Sequence, residues 1–347
     1  MRILAASDRF GSISSGRAGR LIAAGWPGAR AAVVPVGAAG AGFVEAYAEA
    51  YAGTVQVLAG AGGLVSVGRT TSGTALRLEA SGHEPGDLFA RNSTGLGRVV
   101  ATVLAESPPR LYLDLSGPAV HDGGAGVLAA LGAVADVPLD RGVIGLAAAT
   151  AVDITEPRRR LGRTELVGVV RESELDAGLV GLRGITSRLD RRQHPPDRLL
   201  AIDAALEGWA QLLGGELGRT PGAGAAGGLG LAVLALGGRL ATGPSVTLAS
   251  VPAGTDLVLT GCPVFDFAGR GGGVVSAVAR AATQALAPCV LLAGQVLVGA
   301  REMRTMGIEA AYAVRSDRVA GAAEGVDLVS EAELAALARR VARSWSW

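Results

Sequence analysis

The chain has 347 residues, about the length of two domains, and 49% of them are apolar, so it can bury a sizeable core. Its formal net charge of +1 gives no electrostatic case for a nucleic-acid or membrane partner. No apolar run reaches the ~18 residues that span a bilayer, and the N-terminus lacks a signal-peptide pattern, so a cytoplasmic protein is expected. Two cysteines and three histidines are too few and too scattered for a metal cluster.

The first fifty residues predict alternating strands and helices. Residues 3–6 are an apolar run typical of a buried strand, and the polar turn after it opens a helix through about residue 24. Asp8 therefore lies at the carboxyl end of a strand, where open α/β sheets bind ligands, although a helix-capping role explains this residue as well. A second strand at 31–36 and a helix at 43–51 follow. This βα repetition predicts a parallel, doubly wound sheet.

The middle of the chain has a different character. Short β-like pieces between residues 55 and 78 indicate a meander in a second domain. A strand at 110–115 then runs into a loop with His121 and Asp122, the one place where an acid/base pair is expected. The alternative is a capping aspartate beside an exposed histidine.

The segment 221–230 carries the strongest local signal for a ligand. No side chain between Gly222 and Gly228 is larger than a methyl group, so the backbone amides there can approach a bound group closely. A helix expected at 231–236 would favour an anion at its N-terminus. The phosphate- or anion-binding residues are therefore predicted to be Gly222, Gly224, Ala225, Ala226, Gly227 and Gly228.

Two other interpretations of this segment stay open. Its glycines also satisfy the G-x-G-x-x-G pattern of dinucleotide-binding proteins, but that pattern must follow a strand. Here residues 186–198 are expected to form a loop and 203–217 a helix. Close helix packing, or a glycine-rich hinge, is the second interpretation.

The C-terminal third returns to β-α-β order and is expected to join the N-terminal strands in one sheet. Strands are predicted at 256–261, 289–293 and 310–314, and helices at 274–286 and 331–345. The fold class is therefore α/β with two α/β domains. A Rossmann-like parallel sheet is built from both chain ends (1–54 plus 238–347), and a mixed-sheet domain (55–237) is inserted between them.

Every positively charged side chain in this protein is an arginine, because the sequence contains no lysine. This absence excludes a Walker A motif and a Schiff-base lysine. Arginine can still bind phosphate through two parallel hydrogen bonds.

Six blocks, taken in order, match one known family. They are residues 8–12 (family D-S-F-K-G-S), 34–42 (V-P-V-A-D-G-G-E-G), 116–124 (G-G-S-A-T-N-D-G-G), the intact 221–230, 256–266 (A-D-L-V-I-T-G-E-G-R-L-D) and 293–296 (A-G-S-V). With them the chain resembles, over nearly its whole length, the bacterial glycerate kinase family that phosphorylates glycerate with ATP.

The resemblance implies ATP and Mg²⁺ as cofactors, and a small organic acid and a nucleotide as partners. It implies catalytic roles for Asp8, His121, Asp122 and Asp266. Asp122 and Asp266 would help with the metal or the acceptor hydroxyl, and His121, which replaces a family asparagine, would be the base. The metal ligands themselves stay unassigned.

Several family residues are replaced in this chain. Ala38 and Ala41 stand where the family has Asp and Glu, and residues 262–264 read Cys-Pro-Val in place of Glu-Gly-Arg. Glu172 or Glu174 is the nearest match to a family aspartate in the inserted domain. Because these groups position phosphates and metal in phosphoryl transfer, their loss favours weakened catalysis.

These departures leave two questions open. Arg9, Arg98 or Arg270 is a candidate to replace a lost family lysine. The alternative to a kinase is a catalytically degenerate relative that binds a small anion or a protein partner and acts in regulation or as a scaffold.

Overall fold

The structure is a computed structural model that describes residues 1–60, 63–79, 86–190, 192–248, 250–267, 273–315 and 329–346. The chain divides into two compact units. The first consists of Met1–Gly53 together with Gly243–Trp347, and the second is Thr54–Thr242. The domain limits given by the sequence, 1–54 plus 238–347 and 55–237, stay a prediction.

The described residues form thirteen strands and twelve α-helices. The strands are β1 (Arg2–Ser7), β2 (Arg30–Pro35), β3 (Thr54–Gly60), β4 (Gly63–Thr70), β5 (Gly73–Leu78), β6 (Arg110–Asp114), β7 (Val134–Ala135), β8 (Val152–Asp153), β9 (Glu165–Val170), β10 (Arg239–Thr242), β11 (Leu257–Phe265), β12 (Cys289–Val296) and β13 (Ala310–Ala313). The helices are α1 (Ser15–Ala23), α2 (Phe43–Ala50), α3 (Thr94–Leu104), α4 (Ala125–Ala130), α5 (Gly142–Leu146), α6 (Thr155–Leu161), α7 (Pro196–Gly214), α8 (Ala225–Ala235), α9 (Gly243–Thr247), α10 (Val274–Gln284), α11 (Ala300–Thr305) and α12 (Glu331–Ala342).

The first unit is built around a five-stranded parallel sheet in the order β13-β12-β11-β1-β2. Side chains alternate along β1, so Leu4 faces a core with Val278 of α10, whereas Ile3 faces a core with Ile22 of α1 and Leu337 of α12. Helices therefore cover both faces of the sheet. The prediction of a parallel, doubly wound sheet drawn from both chain ends is confirmed.

The second unit is built around a six-stranded mixed sheet in the order β10-β9-β6-β5-β4-β3. The pairs β3–β4 and β4–β5 are antiparallel, which is the predicted meander. From β5 onward to β10 the neighbouring strands are parallel. One core cluster joins this sheet to α7 and α8 through side chains such as Leu76, Leu111, Trp209 and Leu229.

The helix expected at 231–236 begins earlier, at Ala225, and the predicted boundary between loop and helix near residue 200 is also wrong. The loop expected at 186–198 ends early, because α7 begins at Pro196 and includes the segment expected to be non-helical before residue 203. Proline is tolerated in the first turn of a helix, where its missing N–H is not needed. No helix in the described part of the chain combines the length and apolarity that crossing a bilayer requires.

Candidate functional site

The sequence-predicted site residues are divided between the two units. Asp8 and Asp266 belong to the first unit, and His121, Asp122 and the segment 222–228 belong to the second. Each group is described within its own unit.

Asp8 follows β1 directly and is held by the backbone around it. Its amide donates to the carbonyl of Gly261 on the neighbouring strand at 2.9 Å, and its Oδ1 accepts a hydrogen bond from the amide of Arg9 at 2.8 Å. Burial raises the pKa of Asp8 to about 7, and the amide and the charge of Arg9 offset only part of that effect. The charge of Arg9 is therefore too weak to hold this buried carboxyl group at its ordinary pKa.

Asp266 lies at the same edge of the parallel sheet as Asp8. It follows β11, which pairs in parallel with β1, so the two strands end on the same side. Cys262 lies on β11 with a buried thiol, whose pKa is raised first by burial and then by the negative charges of Asp8 and Asp266. Asp8 and Asp266 therefore follow neighbouring parallel strands at one edge of the sheet, and the charge of each acts on the Cys262 thiol.

His121 is a buried, neutral histidine in the second unit. Its side chain is 3% exposed, and its Nε2 lies 3.0 Å from Thr186 Oγ1. Burial, and secondarily the charge of His194, lowers the pKa of His121 to about 4. At neutral pH the ring is therefore uncharged and suited to hydrogen bonding rather than to holding an anion by charge. The alternative of an exposed histidine is wrong.

Asp122 is fully buried and caps the structure around α3 and α4. Its Oδ2 accepts hydrogen bonds from the amide and hydroxyl of Ser93 and from the amide of Gly126, and its Oδ1 accepts one from the amide of Gly124. Burial raises the pKa of Asp122 more than these bonds lower it. Asp122 thus has the capping position that was the alternative to an acid/base role. Its catalytic role stays a prediction.

The glycine-rich segment is packed tightly against its own unit. Ala226, Gly227 and Gly228 all have positive φ angles, of 50°, 70° and 91°. A Cβ on Gly227 would lie 1.8 Å from the carbonyl oxygen of Val120, and one on Gly224 would lie 2.1 Å from that of Gly178. These glycines are required where backbones approach one another, which is the close-packing interpretation.

The amides of this segment correct the expected open row of donors. Those of Gly224, Ala225 and Gly228 donate to the carbonyls of Ala177, Gly222 and Gly224, so they are used within the fold. The amide of Ala226 differs, because it donates to a carboxylate oxygen, Oε1 of Glu174, at 3.2 Å. A carboxylate of the chain itself thus lies where an anionic ligand was predicted.

Glu174 is one of the two residues, with Glu172, predicted to stand in for a family aspartate, and that role stays a prediction. It lies just after β9, its side chain is 16% exposed, and its Oε2 accepts from Nε of Arg171 at 3.1 Å. Its link to Ala226, 52 positions away, left no local sequence signal. Ser93, whose amide and hydroxyl donate to Asp122, lies directly before α3. Among the described residues no group of three or more His, Cys, Asp or Glu side chains forms a metal-binding cluster.

A family model, the glycerate kinase family, matches residues 3–346. The chain belongs to the glycerate kinase family. A glycerate kinase from Bacillus subtilis is 28% identical over 90% of this chain and 90% of its own length. An uncharacterized protein of Mycobacterium bovis is 33% identical over 90% of this chain and 84% of its own length.

Among solved structures, the chain is similar to one named for glycerate kinase 2 of Salmonella typhimurium LT2. The TM-score is 0.78 and the identity 24%, over 99% of this chain and 98% of that one. This similarity shows the two-part α/β fold. The family match supports a glycerate kinase-like function.

Proposed function

We propose that this protein phosphorylates glycerate, or a related small hydroxy acid, with ATP and Mg²⁺. The observation that supports this most directly is the pair Asp8 and Asp266 at the carboxyl ends of adjacent parallel strands in a glycerate kinase family member. Ligands of open α/β sheets bind at this edge.

The donor atoms in the first unit fit Mg²⁺. This ion prefers oxygen ligands and is commonly held by one or two carboxylates, with waters and substrate phosphates completing its shell. Asp8 and Asp266 supply two carboxylates, and the raised pKa of Asp8 marks a carboxyl group that a nearby cation would stabilise in its ionised form. We assign the metal-holding role to these two residues.

The other contribution of the protein to phosphoryl transfer is to position the reacting groups. When bound, Mg²⁺-ATP supplies the transferable phosphoryl group and the charge that neutralises its oxygens. Asp8 and Asp266 orient that charge. Within the second unit, His121 is neutral and its Nε2 lies next to Thr186 Oγ1, so its ring is suited to hydrogen bonding rather than to carrying a charge. The amide of Ala226 is the donor in the glycine-rich segment that an anionic group would reach by displacing Glu174.

A coupled assay for ADP release tests the proposal. We expect ADP release that requires both the hydroxy acid and Mg²⁺-ATP, and a loss of roughly a hundredfold or more in kcat/KM for D8N and D266N, the size typical of losing one electrostatic partner. D256N is the matched control, because Asp256 precedes β11 and accepts a hydrogen bond from the amide of Arg2 at the opposite end of the same strands.

The outcomes separate the two functions considered for this chain. Turnover with an intact D256N and impaired D8N and D266N supports the kinase. Thermal stabilisation by ATP or glycerate with no ADP release would contradict it and favour a non-catalytic anion-binding protein.

A further inference from the structure

Arg9 is fixed across two loops at the carboxyl edge of the parallel sheet. Its Nε and Nη2 donate to the carbonyl oxygen of Gly11 at 2.9 and 2.6 Å, in the loop that precedes α1. Its side chain also packs on Gly42, at the start of α2, where a Cβ would lie 2.8 Å from Arg9 Cδ. The guanidinium is therefore held in place before any ligand binds.

The third nitrogen of this guanidinium, Nη1, has N–H groups that are not used in a hydrogen bond to the described residues. Nη1 lies 4.0 Å from Oε2 of Glu45, too far for a hydrogen bond, and it donates to no acceptor among the described residues. The side chain is 31% exposed and Glu45 is 52% exposed. By contrast, Arg17 and Arg20 of α1 are hydrogen-bonded to carboxylates.

The location of Arg9 places this cation beside the acidic pair. It follows Asp8 in the chain, and its charge acts on that carboxyl group. Of the other arginines considered as lysine replacements, Arg98 lies on α3 in the second unit and Arg270 lies outside the described residues.

We propose that the Arg9 guanidinium binds an anionic oxygen group, the phosphate of the nucleotide or the carboxylate of the acid, through Nη1 beside Asp8. The inference rests on the proposed function and adds the residue that recognises the anion in the first unit. Arginine suits this role because its planar fork matches phosphate and carboxylate oxygens.

Binding measurements on Arg9 variants test the inference without relying on turnover. Affinities for ATP, tripolyphosphate and glycerate are measured by calorimetry for wild type, R9Q and R9K. We expect R9Q to weaken one of the two ligand types roughly tenfold to a hundredfold, as for other hydrogen bonds to charged groups, and R9K to recover part of the loss. Weakening of ATP and tripolyphosphate identifies the phosphate as the partner, and weakening of glycerate alone identifies the carboxylate.

A second variant gives the opposite sign. E45Q removes the negative charge nearest Nη1, so affinity for the same ligand should rise by about two- to fivefold, within the range of exposed charge pairs. R20Q is the matched control, because Arg20 lies on α1 and is paired with Glu49 rather than with Glu45. It should leave all three affinities unchanged. The melting temperature of each ligand-free variant shows that it is folded.

The results keep the two proposals apart. Affinities for all three ligands that are unchanged in R9Q and E45Q, or a wild type that binds none of them, would overturn the role of Arg9. Arg9-dependent binding in a wild type that releases no ADP would instead overturn the kinase proposal and leave the anion site intact.

Discussion

Single residues in this protein show how burial decides the state of an ionisable group. Asp8 has the amide and the charge of Arg9 beside it and Asp122 receives four hydrogen bonds, yet burial raises the pKa of both. Both carboxyl groups follow a predicted strand in the sequence, Asp8 directly and Asp122 within the loop after it. Asp8 and Asp122 differ in the number of hydrogen-bond donors around the carboxylate. That number depends on residues far away in the sequence, such as Ser93 for Asp122.

Asp122 is expected to matter first for stability. D122A leaves the Ser93, Gly124 and Gly126 amides without an acceptor, so it should lower the free energy of unfolding by about 2–5 kcal/mol. S93A should cost less, and the double variant should lose less than the sum because the two residues share one network. Denaturant unfolding measures this. A D122A protein of wild-type stability that has lost turnover would contradict the capping role and favour acid/base chemistry.

His121 predicts a specific pH dependence. Its pKa is about 4 when folded and 6.5 in its ordinary state, so between these values the unfolded chain binds a proton that the folded chain does not. Its contribution to stability is therefore present above about pH 6.5 and lost as the pH falls toward 4. The difference in unfolding free energy between wild type and H121N should shift by up to about 3 kcal/mol across this window, against the wild type at low pH. Parallel stability curves would contradict the burial of a neutral ring.

At the scale of elements, the glycine-rich segment is a tight packing joint as much as a loop. Its three consecutive positive φ angles set the kink in α8, and its close backbone contacts admit no Cβ. The sequence predicted that the segment was special because only glycine and alanine occur there. It did not predict where the amides point, because their acceptors lie on other elements, among them Ala177 and Glu174.

Alanine variants of two glycines in the second unit separate the cost of a left-handed backbone from the cost of a steric clash. Gly227 and Gly237 both have positive φ angles, but a Cβ on Gly237 would meet nothing within 4 Å. G237A should therefore cost only the left-handed backbone penalty of about 1–2 kcal/mol. G227A adds the clash with Val120 and should cost roughly 1–3 kcal/mol more. Equal losses in thermal or denaturant unfolding would contradict the packing described for Gly227.

At the scale of the whole molecule, the order of strands and helices along the sequence was enough to predict most of the fold. The βα repeats at both chain ends predicted one parallel sheet, and the short β-like pieces after residue 55 predicted the inserted mixed sheet. The start of α7 was missed because Pro195, Pro196 and nearby arginines look like a loop. The candidate site was predicted in part. Asp8 and Asp266 follow from strand ends, whereas Glu174 and the free Nη1 of Arg9 depend on contacts that no local pattern records.

The proposed kinase activity is tested most directly by observing the phosphorylated product. Purified protein is incubated with Mg²⁺-ATP and glycerate and followed by ³¹P nuclear magnetic resonance, with D266N and D256N in parallel. We expect a phosphomonoester signal that grows as ADP appears, at a similar rate in D256N and much more slowly in D266N. No phosphomonoester from a folded wild-type protein, with ATP and glycerate left intact, would contradict it.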